Sequence, residues 1–537
     1  MSNQTHKFDI IVIGAGSAGS AAAARLAEDG TKRVCLLEAG GKMAHLATRV
    51  PGLLTFLPKS GNWSFDTEPM EALNGRVGYQ PRGRGLGGSS ATNGMVYIRG
   101  NPWDYDNWAE LGCTGWAWDD VLPVFKRQEN NARGADDLHG AGGPLHVNEQ
   151  ISPSPVAQAF VDSAARLQIP YNDDFNGLRQ EGVGLYQVTQ SNGERWSSAR
   201  AFLEPLAGKD NLVVRTDVLV EKIEIENGRA TGVTVRSGGR LGSKRETLEA
   251  RGGVVVSAGA FGSPHILMLS GIGPADELKK HGIDIKLDKA AVGADLQDHC
   301  DFLTSYELDD LSLFGGSLRG VWQLAKAFAE HRRHRTGMLT TNFAESGGFA
   351  TIRPDAPAPD VQFHFMRAII QNHGRDKPKE HGFSLHVCVL RPESRGWVRL
   401  HSPDPAAAPA INPNFLSDDR DMALMKDAAR LMARIADTPP LSQLGARDRH
   451  PIDYEDDRAL EARIREVSDT IYHPVGTCRM GPHDDDVVNP ALALRGIDNL
   501  WVADASIMPR LVSGNTNAPS MMIGERCGDF VKAALSN

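Results

Sequence analysis

FDIIVIGAGSAG, residues 8 to 19, decides the fold. Phe8 to Ile13, apolar and β-branched apart from Asp9, has the composition of a strand buried on both faces, and a parallel sheet is its natural setting. Gly14, Gly16 and Gly19 follow, and SAGSAAAARLAEDG (17–30) reads as a helix of small residues ending at Gly30. A G-x-G-x-x-G between a strand and a helix has a mechanical meaning. Gly14 permits the tight turn, Gly16 lets a pyrophosphate approach the backbone, and Gly19 packs helix on strand. The anion rests on the helix N-terminus at Ser17 and Ala18, where free N–H groups and the dipole both favour negative charge. VCLLEAG (34–40) supplies the next strand and completes a β-α-β unit. Glu38, followed by Ala39, ends that strand nineteen residues past Gly19, where a carboxylate can bind both ribose hydroxyls of an adenosine. The motif alone does not separate a nicotinamide from a flavin dinucleotide.

A second bare surface lies some seventy residues on. GRGLGGSSATNG (83–94) holds five glycines in twelve residues. A nicotinamide has no use for it, whereas the rigid three-ring system of FAD has a polar edge that must meet backbone donors. Small residues let the main chain come within hydrogen-bond range, and Ser89, Ser90 and Asn93 can satisfy that edge.

Composition narrows the class. At 537 residues the chain exceeds the size at which one core stays single, and a length of ~150 per domain gives two to four domains. A net charge of −9 without a long basic stripe argues against nucleic acid, which needs clustered Lys and Arg. The six cysteines are scattered with no C-x-x-C pair, which fits a reducing cytoplasm. The uncharged run 10–24 follows Asp9 and is filled with Gly and Ala instead of Leu, so it is not read as a secretory signal. It is also shorter than the ~20 residues of a membrane span. The run 252–275 is broken by Pro264 and several glycines, and no transmembrane helix is expected.

Further strands are expected at 211–228, in a hairpin-like pattern, at GGVVVSAGA (252–260) and at NLWVADAS (499–506). A nucleotide domain built from these is discontinuous in sequence. VQFHFM (361–366), SLHVCVL (384–390) and WVRL (397–400) tend to alternate, as antiparallel strands with one solvated or ligand-facing side do. The expected class is α/β, a Rossmann-like domain with an α+β domain on an antiparallel sheet. The boundaries are 1–158 and 159–305 for the first two parts of the nucleotide domain, the latter with excursions into its neighbour. Residues 306–465 form the second domain, and 466–537 the last nucleotide-domain part. The helix pattern at 318–335 places Leu318, Val321, Trp322, Ala325 and Phe328 at 3–4 spacing before a basic cluster. It reads as a surface helix whose last-turn cations complement its dipole, with contact to an anionic membrane as the alternative.

PRGRGLGGSSATNGMVYIRG (81–100) and GAFGSPHILMLSGIG (259–273) resemble the two signature motifs of the glucose-methanol-choline (GMC) oxidoreductases. The resemblance continues through YHPVGTCRMG (472–481), VADASIMP (502–509) and NTNAPSMMIGER (515–526), and covers essentially the whole chain. It implies FAD-dependent oxidation of a primary alcohol to an aldehyde, with electrons passed to a quinone, an electron-transfer protein or O₂. It puts Glu38 on the adenosine ribose, Val220 on the adenine, and Asn93, Gly94, Met95 and Val96 on the flavin ring. Asp504 and Ala505 fall on the ribityl-pyrophosphate region. Arg84, Gly87, Gly88 and Ser89 complete the glycine stretch. Some relatives tether flavin through a histidine in that stretch; Thr92 stands there here, so dissociable FAD is expected. Where many members read GxNLQDH this chain has Asp295, which bears on a local contact and not on the chemistry.

Alcohol oxidation removes a proton from oxygen and a hydride from carbon, so a base is required, and a histidine with a pKa near ~6.5 is suited. Among 17 histidines, the resemblance assigns the base to His473, in a turn with Tyr472, Pro474 and Gly476. It assigns Asn517 as its partner, donating to the substrate oxygen and opening a C-terminal helix whose dipole favours negative charge on the flavin. A plain N-cap is the alternative role for Asn517. His299 is read as structural, as are His364 and His386, with pocket lining as their alternative, and Glu345 is a minor candidate as partner for a cationic substrate. No His/Cys/Asp cluster has ligand spacing, so no metal is expected. An oxidase using O₂, a flavin-containing lyase and a dinucleotide-binding module are the alternatives to a dehydrogenase. Cytoplasmic localisation completes the reading, with peripheral contact at the inner membrane as the alternative.

Overall fold

The computed structural model describes residues 6–238 and 244–536. Strand β1 (Lys7–Ile13), helix α1 (Ser17–Ala27) and strand β2 (Val34–Leu37) follow one another as the apolar run and glycine turn dictate. Ile10, Ile11 and Val12 are fully buried, and each such side chain stabilises the sheet by about 1.5–3 kcal/mol. β1 lies between β2 and the long strand Lys244–Val256, parallel to both, with Ile10 opposite Val34 and Val12 opposite Val255. Leu500–Val502 joins Lys244–Val256 in parallel, so the last part of the chain returns to the first sheet.

Residues 211–228 differ from the hairpin-like expectation. Leu212–Arg215 pairs in parallel with β2, while Val218–Glu226 pairs antiparallel with Arg229–Ser237. The edge of β2 takes the first strand's ladder, and Asp217, at φ +58°, turns the chain away between the two.

The second sheet is antiparallel, in the order Arg447–Asp448, Cys300–Glu307, Gly382–Val389, Val361–Met366, Ala344–Ala350, Gly182–Leu185, with Asp469–Thr470 also on Cys300–Glu307. It therefore draws on residues before 306, within the stretch 159–305 where excursions into the second domain are expected, and on Asp469–Thr470 after 465. Both faces are buried. Phe363, Phe365, Phe383, Leu385 and Val387 join one core with the helices Pro155–Arg166 and Asp419–Asp437, while Gln362, His364, Ser384 and His386 occupy the other face, as the period of two requires. The 397–400 run is apart, as Trp397–Arg399 paired with Ala410–Asn412. No described helix is long and apolar enough to cross a membrane. The helix Leu318–His334 forms, but its apolar positions face outward: Leu318 is 87%, Val321 60% and Trp322 72% exposed.

Candidate active site

The two glycine stretches are one surface. Gly87 N–H donates to the Ala15 carbonyl (2.8 Å), and a Cβ at Gly88 would stand 2.7 Å from Gly16 Cα. A Cβ at Gly16 would itself meet nothing within 4 Å, whereas one at Gly19 would collide with the Gly14 carbonyl oxygen. Gly16 thus borders open space at the N-terminus of α1, and Gly19 closes helix on strand, as the motif's mechanics require. The Glu38 carboxylate accepts from Ala15 N–H (3.0 Å) and Gly40 N–H (2.8 Å), with burial pushing its pKa up. Val220 is buried on the strand whose Val218 N–H donates to the Glu38 carbonyl. Ala39 offers its carbonyl to Arg84 Nη2 (3.4 Å), and Ser89 Oγ accepts from Gly83 N–H. Asn93 Oδ1 accepts from Arg195 Nη1 (2.7 Å) and from Met95 N–H, and Gly94 O accepts from Asn342 Nδ2. Met95 and Val96 are buried behind them. Asp504 binds Gly259 N–H (2.8 Å), Ser263 Oγ and Ser506 N–H, and Ala505 O accepts from Gly476 N–H, tying this region to the turn that carries His473.

That turn is built by three consecutive residues of another segment. Gln297 pairs with Val475 through backbone bonds in both directions, Asp298 Oδ1 accepts from His473 N–H (2.8 Å), and His299 Nδ1 lies 2.9 Å from His473 Nδ1. Tyr472, at φ +75°, is held in the left-handed region, a conformation that costs about 1–3 kcal/mol and persists where the surroundings enforce it. Arg82 Nη1 on its carbonyl and Thr470 Oγ1 on its N–H do so. Burial pushes Asp298 up to about 6 and His299 down to about 3, and holds His473 well below its ordinary value.

These bonds fix the tautomers. His299 Nε2 is 3.0 Å from the Leu390 carbonyl, which only accepts, so Nε2 carries the hydrogen and Nδ1 is a lone pair. His473 Nδ1 must then donate to it, leaving His473 Nε2 unprotonated. His299 is thus more than structural filling, and neither it nor Asp298 was marked by spacing; the signal available was the adjacency of Gln, Asp and His in LQDH.

The expected partner of His473 is corrected. Asn515 Nδ2, not Asn517, lies 3.0 Å from His473 Nε2. Asn517 is already the first residue of the C-terminal helix Asn517–Ser536, which packs on α1, and its Oδ1 accepts from Ser17 Oγ (2.8 Å). Asn515 belongs to the preceding turn and faces the second sheet, where its Oδ1 accepts from Gln362 Nε2 (3.1 Å). The two helix N-termini, of α1 and of Asn517–Ser536, converge where Ser17 meets Asn517.

The sheet face behind Asn515 is polar. Gln362 Oε1, His364 Nδ1 and His386 Nε2 are buried without a partner among the described residues. Burial lowers His364 to about 3, and His386 Nδ1 is tied to Asp301 (2.6 Å). Glu345 is fully buried and already occupied by Arg367 (2.7 Å), Thr341 Oγ1 and Ser154 N–H, so its carboxylate is not free for a cationic substrate.

The N-terminal pattern of the GMC oxidoreductases matches residues 8–301 and the C-terminal one residues 392–524. The chain is a GMC oxidoreductase. An alcohol dehydrogenase (acceptor) of Pseudomonas putida is 41% identical to it over 528 residues, 98% of this chain and 95% of that one. An oxygen-dependent choline dehydrogenase of Rhizobium etli is 40% identical over 529 residues, 97% and 95% of the two. Pyridoxine 4-oxidase from Mesorbium loti superposes with a TM-score of 0.86 at 31% identity, covering 98% of this chain and 99% of that one. FAD is the cofactor of this GMC oxidoreductase. The open space at Gly16, the meeting of both glycine stretches and the paired helix N-termini are the features such a dinucleotide fits.

Proposed function

We propose that the enzyme oxidises a primary alcohol to an aldehyde, with His473 as base and Asn515 as its partner. Glu38, Val220, residues 93–96 and Asp504–Ala505 would hold FAD at the glycine surfaces, where it would supply the two-electron oxidant for the carbinol carbon. The observation that carries the reading is the hydrogen-bond chain from the Leu390 carbonyl through His299 to His473. It presents one unprotonated Nε2 beside one amide N–H donor on Asn515, whose orientation Gln362 sets. A hydroxyl that replaces their mutual hydrogen bond donates its proton to His473 and accepts from Asn515 as negative charge develops on oxygen. Because burial holds His473 neutral, the base is ready without prior deprotonation.

Unpartnered polar atoms on the sheet face favour an alcohol that carries further hydrogen-bonding groups, since buried polar groups left unpaired cost about 1–3 kcal/mol each. The acceptor is non-nicotinamide: the name of the Pseudomonas putida relative supports a carrier, and those of the Rhizobium etli and Mesorbium loti relatives support O₂. We place the enzyme in the cytoplasm, where its six free, buried cysteines stay reduced. A quinone acceptor requires that the protein meet the inner membrane at its surface. The test is a panel of aliphatic, aromatic, polyol and choline-type alcohols with an artificial acceptor, with and without oxygen. Anaerobic bleaching of the yellow colour by polar primary alcohols is expected. Bound flavin that no alcohol bleaches, with aldehyde released from a cyanohydrin, would make the protein a lyase.

A further inference from the structure

The helix Leu318–His334 is amphipathic the wrong way round for a helix covering a core. Leu324 and Ala327 pack on Val50, Leu53 and Leu339, and His331 Nε2 donates to the Gly193 carbonyl. The opposite side presents Leu318, Val321, Trp322 and Ala325 in a stripe at 3–4 spacing, with Phe328 beside it at 41% exposure. Phe56, on the same short turn as Leu53, is also 48% exposed, with Lys377 Nζ 3.6 Å from its ring centroid. Scattered exposed apolar residues need no explanation, but an aligned row of this kind does.

Charge says what covers it. In a chain of net charge −9, residues 318–335 carry Arg319, Lys326, Arg332, Arg333 and Arg335 against the single carboxylate of Glu330. Lys326, Arg332 and Arg333 have no ion pair among the described residues. A second copy of the chain placed on this convex face about a two-fold axis would set those cations against themselves. Leu and Trp along one face, with Lys and Arg on the flanks, is the composition of a helix lying in the interface of an anionic bilayer.

We propose that this helix, with Phe56, docks the enzyme on an anionic lipid surface. The contact has a bearing on the site. The loop that carries Lys377 also carries His373, whose Nδ1 is 2.8 Å from the Tyr472 hydroxyl, next to His473. Gly316 N–H donates to Pro378 O, joining the same loop to the start of the helix, and the turn Met338–Thr340 under the helix leads to Asn342, which donates to Gly94. The docked face therefore adjoins the elements that frame the active site, and a lipid-soluble acceptor or alcohol would arrive on that side.

The test uses the FAD-loaded full chain with vesicles of phosphatidylglycerol and phosphatidylcholine in equal parts, and with phosphatidylcholine alone. Co-sedimentation with the anionic vesicles is expected, at least ~10-fold weaker with neutral vesicles and weakened by high salt. The variant L318S/V321S/W322S removes only outward-facing groups and should lose vesicle binding while keeping its FAD and its turnover of a water-soluble alcohol with a dye. A second variant, R332E/R333E, should lose the preference for anionic lipid. Wild-type protein that stays in the supernatant overturns the proposal. So does a triple variant that binds vesicles like wild type, or one that changes only the oligomeric state. Because vesicle binding is read without turnover, its failure is distinct from failure of the proposed reaction.

Discussion

Asn515 and Asn517 stand two positions apart and touch different things, so their variants should separate. Asn515→Ala removes the donor beside His473 Nε2 and is expected to lower turnover by about 10²–10³ with FAD retained. Asn517→Ala leaves Ser17 Oγ without its acceptor at the junction of two helix N-termini, and is expected to weaken FAD retention more than the chemistry. Flavin absorbance per protein and single-turnover rates distinguish the two, and the reverse pattern would restore the motif-based assignment. His473→Ala should cost about 10²–10⁴ in turnover with FAD bound. Burial beside His299, His364 and Arg82 keeps His473 below its ordinary value near ~6.5, so at neutral pH it is already unprotonated. As pH falls through its lowered value a proton occupies Nε2 and activity is lost, so the acid limb of kcat/KM should lie below pH 6.5; a limb above 7 contradicts the buried neutral base. At this scale the sequence singles out His473 by its motif. It could not show His299, whose role exists only because the fold brings a residue 174 positions away to 2.9 Å.

Between elements, the glycine turn was the most legible feature, because each glycine answers a separate steric demand. Gly16 and Gly19 therefore predict opposite failures. Gly16→Ala adds a methyl group to space that nothing in the protein fills, so the variant should fold with near wild-type thermal stability yet bind FAD far more weakly. Gly19→Ala drives a methyl group into the Gly14 carbonyl and should destabilise α1 against β1 whether FAD is present or not. Thermal melts of the FAD-free forms read the difference, and equal melts would mean that the turn relaxes. The helix Leu318–His334 was legible as a helix but not in its facing. Periodicity gives the angle between apolar and polar positions, and only the tertiary packing of Leu324, Ala327 and His331 decides which side turns inward. The pairing of residues 211–228 escaped for the same reason, since the free edge of β2 competes with the neighbouring strand for the same hydrogen bonds.

Over the whole molecule, the alternation of apolar runs announced two sheets, and the return of Leu500–Val502 to the first sheet was readable as a discontinuous domain. The true membership of the second sheet was not, because Gly182–Leu185 is four residues long and Asp469–Thr470 two, too short to carry a period. The proposed FAD contacts come from segments spread between residues 14 and 517, so binding should couple to the stability of the entire fold. Thr92 offers neither imidazole nor thiol, and its hydroxyl is 3.4 Å from the Ser89 carbonyl within its own turn. The cofactor should therefore be held without a covalent bond. Acid precipitation is expected to leave all the flavin in the supernatant, and colour that stays with the pellet would refute this. Added FAD should then raise the melting midpoint of the apoprotein in proportion to the logarithm of its concentration, by about 4.1 kcal/mol of added stability at a thousand-fold excess over Kd. A midpoint that ignores FAD would mean that these scattered segments assemble without it and do not form its site.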